Sequence, residues 1–157
     1  MRRKKTLSLL SMLLVAGSMG GECFTDIYGG STSDRFTATL SGGAEVPPVD
    51  SNGTGTGTFE LSADESSLSY NITVSGLSGP LVAAHFHFSA TGPAGNGDVL
   101  FDISDSIEEI SGEVTLEGTW PLSAEDVVNL RVNYVYVNLH TEANPSGEIR
   151  GNVTPID

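Results

Sequence analysis

SLSYNITV, residues 67–74, sets Leu68, Tyr70, Ile72 and Val74 at every second position, with Ser69, Asn71 and Thr73 between them. A strand shows residues i and i+2 on one face, so this alternation buries one face and wets the other. A helix would scatter the same four apolar side chains around its circumference. The segment reads as a half-buried strand.

The same texture recurs on both sides of it. Segments 36–40, 54–61, 82–88, 99–103, 113–120, 132–139 and 147–153 are short and rich in β-branched and aromatic residues, with Gly, Pro, Asn or Asp between them. That pattern predicts an all-β fold, a Greek-key-like antiparallel β-sandwich or flattened barrel of about eight strands. One stretch departs from it. In PLSAEDVVNLRV, Ser123 is suited to an N-cap, Glu125 and Asp126 fall in a first turn where the helix dipole favours them, and Val127, Val128 and Leu130 follow. One short helix is expected near 123–130. NGTGTGT, residues 52–58, lacks the lysine of a phosphate-binding loop and leads into a strand, so it reads as a strand entrance.

The N-terminal MRRKKTLSLLSMLLVAGSMGG places four cations before an apolar run from Leu7 to Ala16 and then small residues. This is the layout of a secretory signal peptide over 1–20, with a run too short to span a bilayer as a helix. An exported protein follows, secreted, periplasmic or on the cell surface, with no transmembrane helix in the mature chain. Residues 21–35 mix Gly, Ser and acids without a period and read as a flexible linker, leaving one domain over 36–154. Cys23 stands where a lipid-modified cysteine would, but Glu22 occupies the place of a small residue. A soluble product is the leading expectation and a lipid anchor at Cys23 the alternative.

Cys23 is the single cysteine, so no internal disulfide and no cysteine-based zinc motif can form. Removing the leader leaves three arginines and no lysine against 20 acids. Such a field repels phosphate backbones, which argues against nucleic acid and leaves an extracellular partner or a cation. Solubility in a salty medium explains the charge equally well.

The chemistry is concentrated in the histidines. His85 and His87 lie two apart on a predicted strand, so their rings share a face about 6–7 Å apart at Cα. The third, His140, ends the strand VNYVYVNLH, and distant strand ends can be neighbours in a sandwich. Three neutral imidazoles suit copper or zinc, with a position left for water. The competing reading has these histidines donating to loop carbonyls and holding turns, with GPAGNG, residues 92–97, a pair of turns. No G-x-S-x-G elbow is present and no catalytic residue stands out, which makes a non-enzymatic module the leading expectation. Asp98, Asp102, Asp105, Glu108 and Glu109 do not follow calcium-loop spacing and read as a solvated acidic edge. Arg150, in the last strand, is expected to pair with Glu45 or Glu148 and so lock the first and last elements together.

LSGGAEVPPV, LSYNITVSGLSGPLVAAHFH with its GPAG turn, WPLSAEDVVNL and YVNLHTEANPSGEIRGNV occur in an order that resembles the CHRD domain, named from chordin and common in exported bacterial proteins. The resemblance covers about residues 36–154 and implies a β-rich extracellular module used for binding or cell-surface structure. A fainter likeness is to the copper/zinc superoxide dismutases. GLSGPLVAAHFHF is similar to the segment bearing that family's His-x-His copper ligands, and NLHTEANPSGEIRGNV to its late segment with a further copper histidine. The likeness implies His85, His87 and His140 as copper ligands and a dismutase-like alternative function. The chain departs from that pattern: it has no bridging histidine, too few histidines for the zinc site, and no disulfide.

Overall fold

A computed structural model describes residues 33–156. The expected signal peptide, Cys23 and nearly all of the linker lie outside the described residues. The chain forms β1 (Arg35–Ser41), β2 (Thr54–Leu61), β3 (Ser67–Ser75), β4 (Leu81–Phe88), β5 (Val99–Asp102), β6 (Ile107–Ile110), β7 (Glu113–Pro121), α1 (Ala124–Arg131), β8 (Val135–Thr141), β9 (Ile149–Asn152) and β10 (Thr154–Pro155). All pairings are antiparallel. The strands run β5-β4-β8-β9-β1-β2-β3-β7-β6, with β10 also on β1, as one sheet curled into a half-barrel. The all-β expectation holds.

Alternation is realised most fully in β2 and β3. Phe59 and Leu61 point inward from the first, and Leu68, Tyr70, Ile72 and Val74 from the second. Phe36, Ala38 and Leu40 of β1, Leu116 and Trp120 of β7, and Ala84 and Phe86 of β4 complete the inner face. Phe86 stacks on Trp120 at 5.0 Å and meets Phe59 and Tyr70 edge-on. Because Phe86 faces this core, its neighbours His85 and His87 project from the other side of the sheet.

The helix begins at its expected cap. Ser123 accepts from the Asp126 backbone N–H while the Asp126 carboxylate accepts from the Ser123 backbone, a reciprocal box that satisfies two otherwise unpaired donors. Val127 and Leu130 are buried, and Arg131 reaches Asp34 and Glu65, fastening the helix to the start of β1 and to the β2–β3 turn.

Three differences from the sequence reading go beyond one residue at the end of an element. β8 begins at Val135 instead of 132, because α1 runs to Arg131 and Asn133 then turns with φ of 61°. The last predicted strand, 147–153, is shortened to β9 with β10 added beyond it, and Ile107–Ile110 is an additional strand. With four residues and two adjacent glutamates, that strand offered no alternating pattern. It occupies one end of the sheet and carries Glu108 and Glu109, while β5 with Asp102 occupies the other, so acids do line both edges. No described helix is long and apolar enough to cross a membrane.

Candidate metal centre

His85 and His87 come from β4, and His140 from β8, its antiparallel neighbour. Register sets Ala83 opposite His140, His85 opposite Asn138 and His87 opposite Tyr136. Paired residues point to the same side, so Tyr136, Asn138 and His140 share the outer face with the two β4 histidines. An irregularity of the β4–β5 pairing falls between Phe86 and His87, where both consecutive side chains are buried. Such bulges re-aim side chains at sites.

One ring nitrogen from each histidine lies within 4.8 Å of the other two. His85 Nδ1 and His140 Nε2 are 3.1 Å apart. A tetrahedral ion about 2.0–2.1 Å from each nitrogen needs them about 3.3 Å apart, so one pair is already at that spacing and the third nitrogen must close in. Among the described residues these histidines are the group of three metal-ligating side chains that converges; the acids singled out above do not gather into another.

The second nitrogen of each ring fixes how the first is presented. His87 Nδ1 lies 3.0 Å from the Gly97 carbonyl oxygen and His140 Nδ1 lies 3.1 Å from that of Pro145. A carbonyl only accepts, so both Nδ1 atoms carry the hydrogen and both Nε2 atoms carry a lone pair. His87 Nε2 is buried with no hydrogen-bond partner. His85 is turned the other way, with Nε2 3.9 Å from an Asp102 carboxylate oxygen and Nδ1 facing His140. A metal would take the place of the hydrogen shared between those two rings. Burial, and next in order the Gly97 contact opposing it, leave His87 below the ordinary histidine pKa; burial and the nearby His85 do the same for His140. Both lean toward the neutral, ligating form.

The GPAGNG segment is the scaffold of this cluster. Gly97 donates its N–H to the Tyr136 hydroxyl, and the Tyr136 ring lies flat on His87, 4.9 Å between centroids with 8° between planes. The Arg150 guanidinium sits 4.5 Å over the same tyrosine ring and donates to Asn96 Oδ1 and the Pro93 carbonyl. Asn96 in turn donates to the Val46 carbonyl. Gly97 must be glycine, since a Cβ there would fall 1.5 Å from the Phe88 carbonyl oxygen.

Arg150 does not form the expected ion pair. Its donors go to the 92–97 loop, and neither Glu45 nor Glu148 accepts from it. Glu45 feels its charge from farther off: burial raises the Glu45 carboxyl to about 7 against the lowering pull of Arg150. The first and last elements are joined by backbone pairing instead, β1 with β9 and β10. Glu148 is wholly buried and collects hydroxyls from Ser51, Ser78 and Thr141. Tyr136, Gly97, Asn96 and Pro145 are site residues that sequence reasoning passed over. The i, i+2, i+4 spacing of Tyr136, Asn138 and His140 was the available sign that they share a face.

No curated protein matches the chain at a significant level. The CHRD domain family model matches residues 36–153, taking in the chain from β1 through β9. By that match over most of its length, the chain belongs to the CHRD domain family.

Proposed function

We propose that this protein is an exported, non-enzymatic CHRD module that binds a divalent transition metal, copper foremost, through His85 Nδ1, His87 Nε2 and His140 Nε2. CHRD domains are typically extracellular, in keeping with the basic-then-apolar leader of the sequence. The observation that carries the metal reading is the buried, unpartnered His87 Nε2 within reach of two further imidazole nitrogens. An orphaned buried acceptor is costly, and a bound cation removes that cost. All-nitrogen, neutral ligation suits Cu(II) and Zn(II), and among first-row divalent ions copper binds such donors most tightly. The carbonyls of Gly97 and Pro145 supply the outer partners that ligating histidines use to fix ring orientation, and an Asp102 carboxylate oxygen stands 3.9 Å from His85 Nε2.

The test is metal content after loading with Cu(II) or Zn(II) and exhaustive dialysis. Wild type is expected to keep about one equivalent, as a site of three converging ligands should, and His87→Ala to lose it. Absence of retained metal in the wild type overturns the reading. The partly exposed rings of His85 and His140 favour a second reading, redox chemistry at a solvent-reachable copper. Superoxide consumption by the loaded protein, abolished in His87→Ala, would establish it.

A further inference from the structure

We infer that Glu148 is a positioning residue for the histidine cluster, holding the 141–147 loop so that the Pro145 carbonyl meets His140 Nδ1 and turns Nε2 toward the other two rings. The inference rests on the metal-binding reading for its consequence, although its first observable does not need a metal.

Glu148 is 0% exposed, a position at which a carboxylate is costly unless its oxygens are fully engaged. They are engaged by three separate stretches of chain. Ser51 Oγ donates at 2.7 Å, the Ser78 N–H and Oγ at 2.8 and 2.7 Å, Thr141 Oγ1 at 2.5 Å and Asn144 Nδ2 at 3.3 Å. Two of these donors, Thr141 and Asn144, belong to the loop that carries Pro145. Within the loop, Asn144 N–H donates to the Thr141 carbonyl and hydroxyl, and Gly147 N–H to the Asn144 carbonyl. Glu142 N–H reaches the Pro80 carbonyl. The turn is therefore tied to the carboxylate just before Pro145, and Glu148 itself ties it just after. Pro145 and Ser146 are exposed. The aim of the Pro145 carbonyl thus depends on these flanking ties.

A purely structural knot would affect folding and leave the state of His140 alone; a positioning residue alters His140 in a protein that still folds. Glu148→Gln keeps the shape, removes the charge and replaces one accepting oxygen with a donor. In metal-free protein, long-range nitrogen–proton NMR of the imidazoles is expected to show His140 as the Nδ1–H tautomer in wild type and as a mixture in the variant. Cu(II) affinity is expected to fall about 10–100-fold, the usual effect of losing an outer partner, with cooperative thermal unfolding retained. A folded Glu148→Gln protein with the wild-type tautomer and affinity overturns the inference. Should that variant fail to fold, Ser78→Ala removes one donor while leaving the Ser78 N–H bond. It is expected to shift both readouts in the same direction, and no shift in either overturns the inference. If wild type binds no metal, the metal-binding reading falls and the tautomer measurement still decides the role of Glu148.

Discussion

The Gly97 carbonyl oxygen stands 3.0 Å from His87 Nδ1, and through this one contact the histidine both fastens a loop and keeps its buried Nε2 unprotonated. The two uses are not alternatives, because imidazole has two nitrogens and the bond made by one fixes the state of the other. His140 repeats the arrangement with Pro145. Loop-holding histidines on two strands thereby become a set of inward-facing lone pairs.

Gly97→Ala tests that contact. The added Cβ would lie 1.5 Å from the Phe88 carbonyl oxygen and 2.7 Å from its carbon, both backbone atoms, so the 92–97 loop must move. The carbonyl then leaves His87 Nδ1. Urea unfolding is expected to show a loss of about 1–3 kcal/mol from overpacking, and copper titration a fall of about 10–100-fold in affinity. A destabilised variant with unchanged affinity would separate the loop from the site.

Arg150→Lys tests the clamp behind the loop. Lysine keeps the charge but cannot reproduce a planar group that spans Asn96 and Pro93 while lying over Tyr136. The expected loss is about 1–3 kcal/mol, for hydrogen bonds to a buried cation. Hydrogen exchange at the Gly97 amide, bonded to the Tyr136 hydroxyl, should quicken selectively. Uniformly faster exchange across the sheet would point to general weakening instead.

The strands were legible where one face is buried and the other wet, as in 67–74, because a period of two leaves a direct trace in the sequence. β6 left none, since in this four-residue edge strand only Ile107 is partly covered, and two glutamates and an exposed Ile110 leave no alternation to read. For the site, His85 and His87 were readable as a same-face pair and His140 as a third strand-end histidine. Their convergence depends on the β4–β8 register, and no local pattern encodes a register between strands so far apart in sequence. The expected Glu45–Arg150 pair followed charge alone. Arg150 found neutral acceptors in a loop some fifty residues away, a choice made by tertiary packing.

Glu45 makes a prediction about the approach to neutral pH. Its folded pKa, raised by burial to about 7 from the ordinary 4.5, means the fold favours the protonated carboxyl. For a group raised on folding, the associated stability is complete below about pH 4.5 and is lost as pH rises through about 7. Urea midpoints of wild type should therefore decline between pH 5 and 8 relative to Glu45→Gln, whose amide has no charge to bury. Parallel curves for the two proteins would show that Glu45 titrates normally.

Glu148 predicts the opposite slope at the acid end. Burial alone would push its carboxyl up, but the hydrogen bonds from Thr141, Ser51 and Ser78 outweigh burial and carry it down to about 2 from 4.5. A group depressed on folding contributes stability that is complete above the unfolded value and disappears as pH falls through the folded one. The window is thus from about pH 4.5 down to about pH 2, and the linked stability is about 3 kcal/mol at 1.36 kcal/mol per pKa unit. Wild type should lose more of its urea midpoint across that window than Glu148→Gln, which has no proton to take up. The same protonation would cost the 141–147 loop an acceptor and release the Pro145 carbonyl from His140. A wild-type acid limb no steeper than that of the variant would mean the buried carboxylate is not held as an anion, and the cradle of hydroxyls would then be serving a neutral acid.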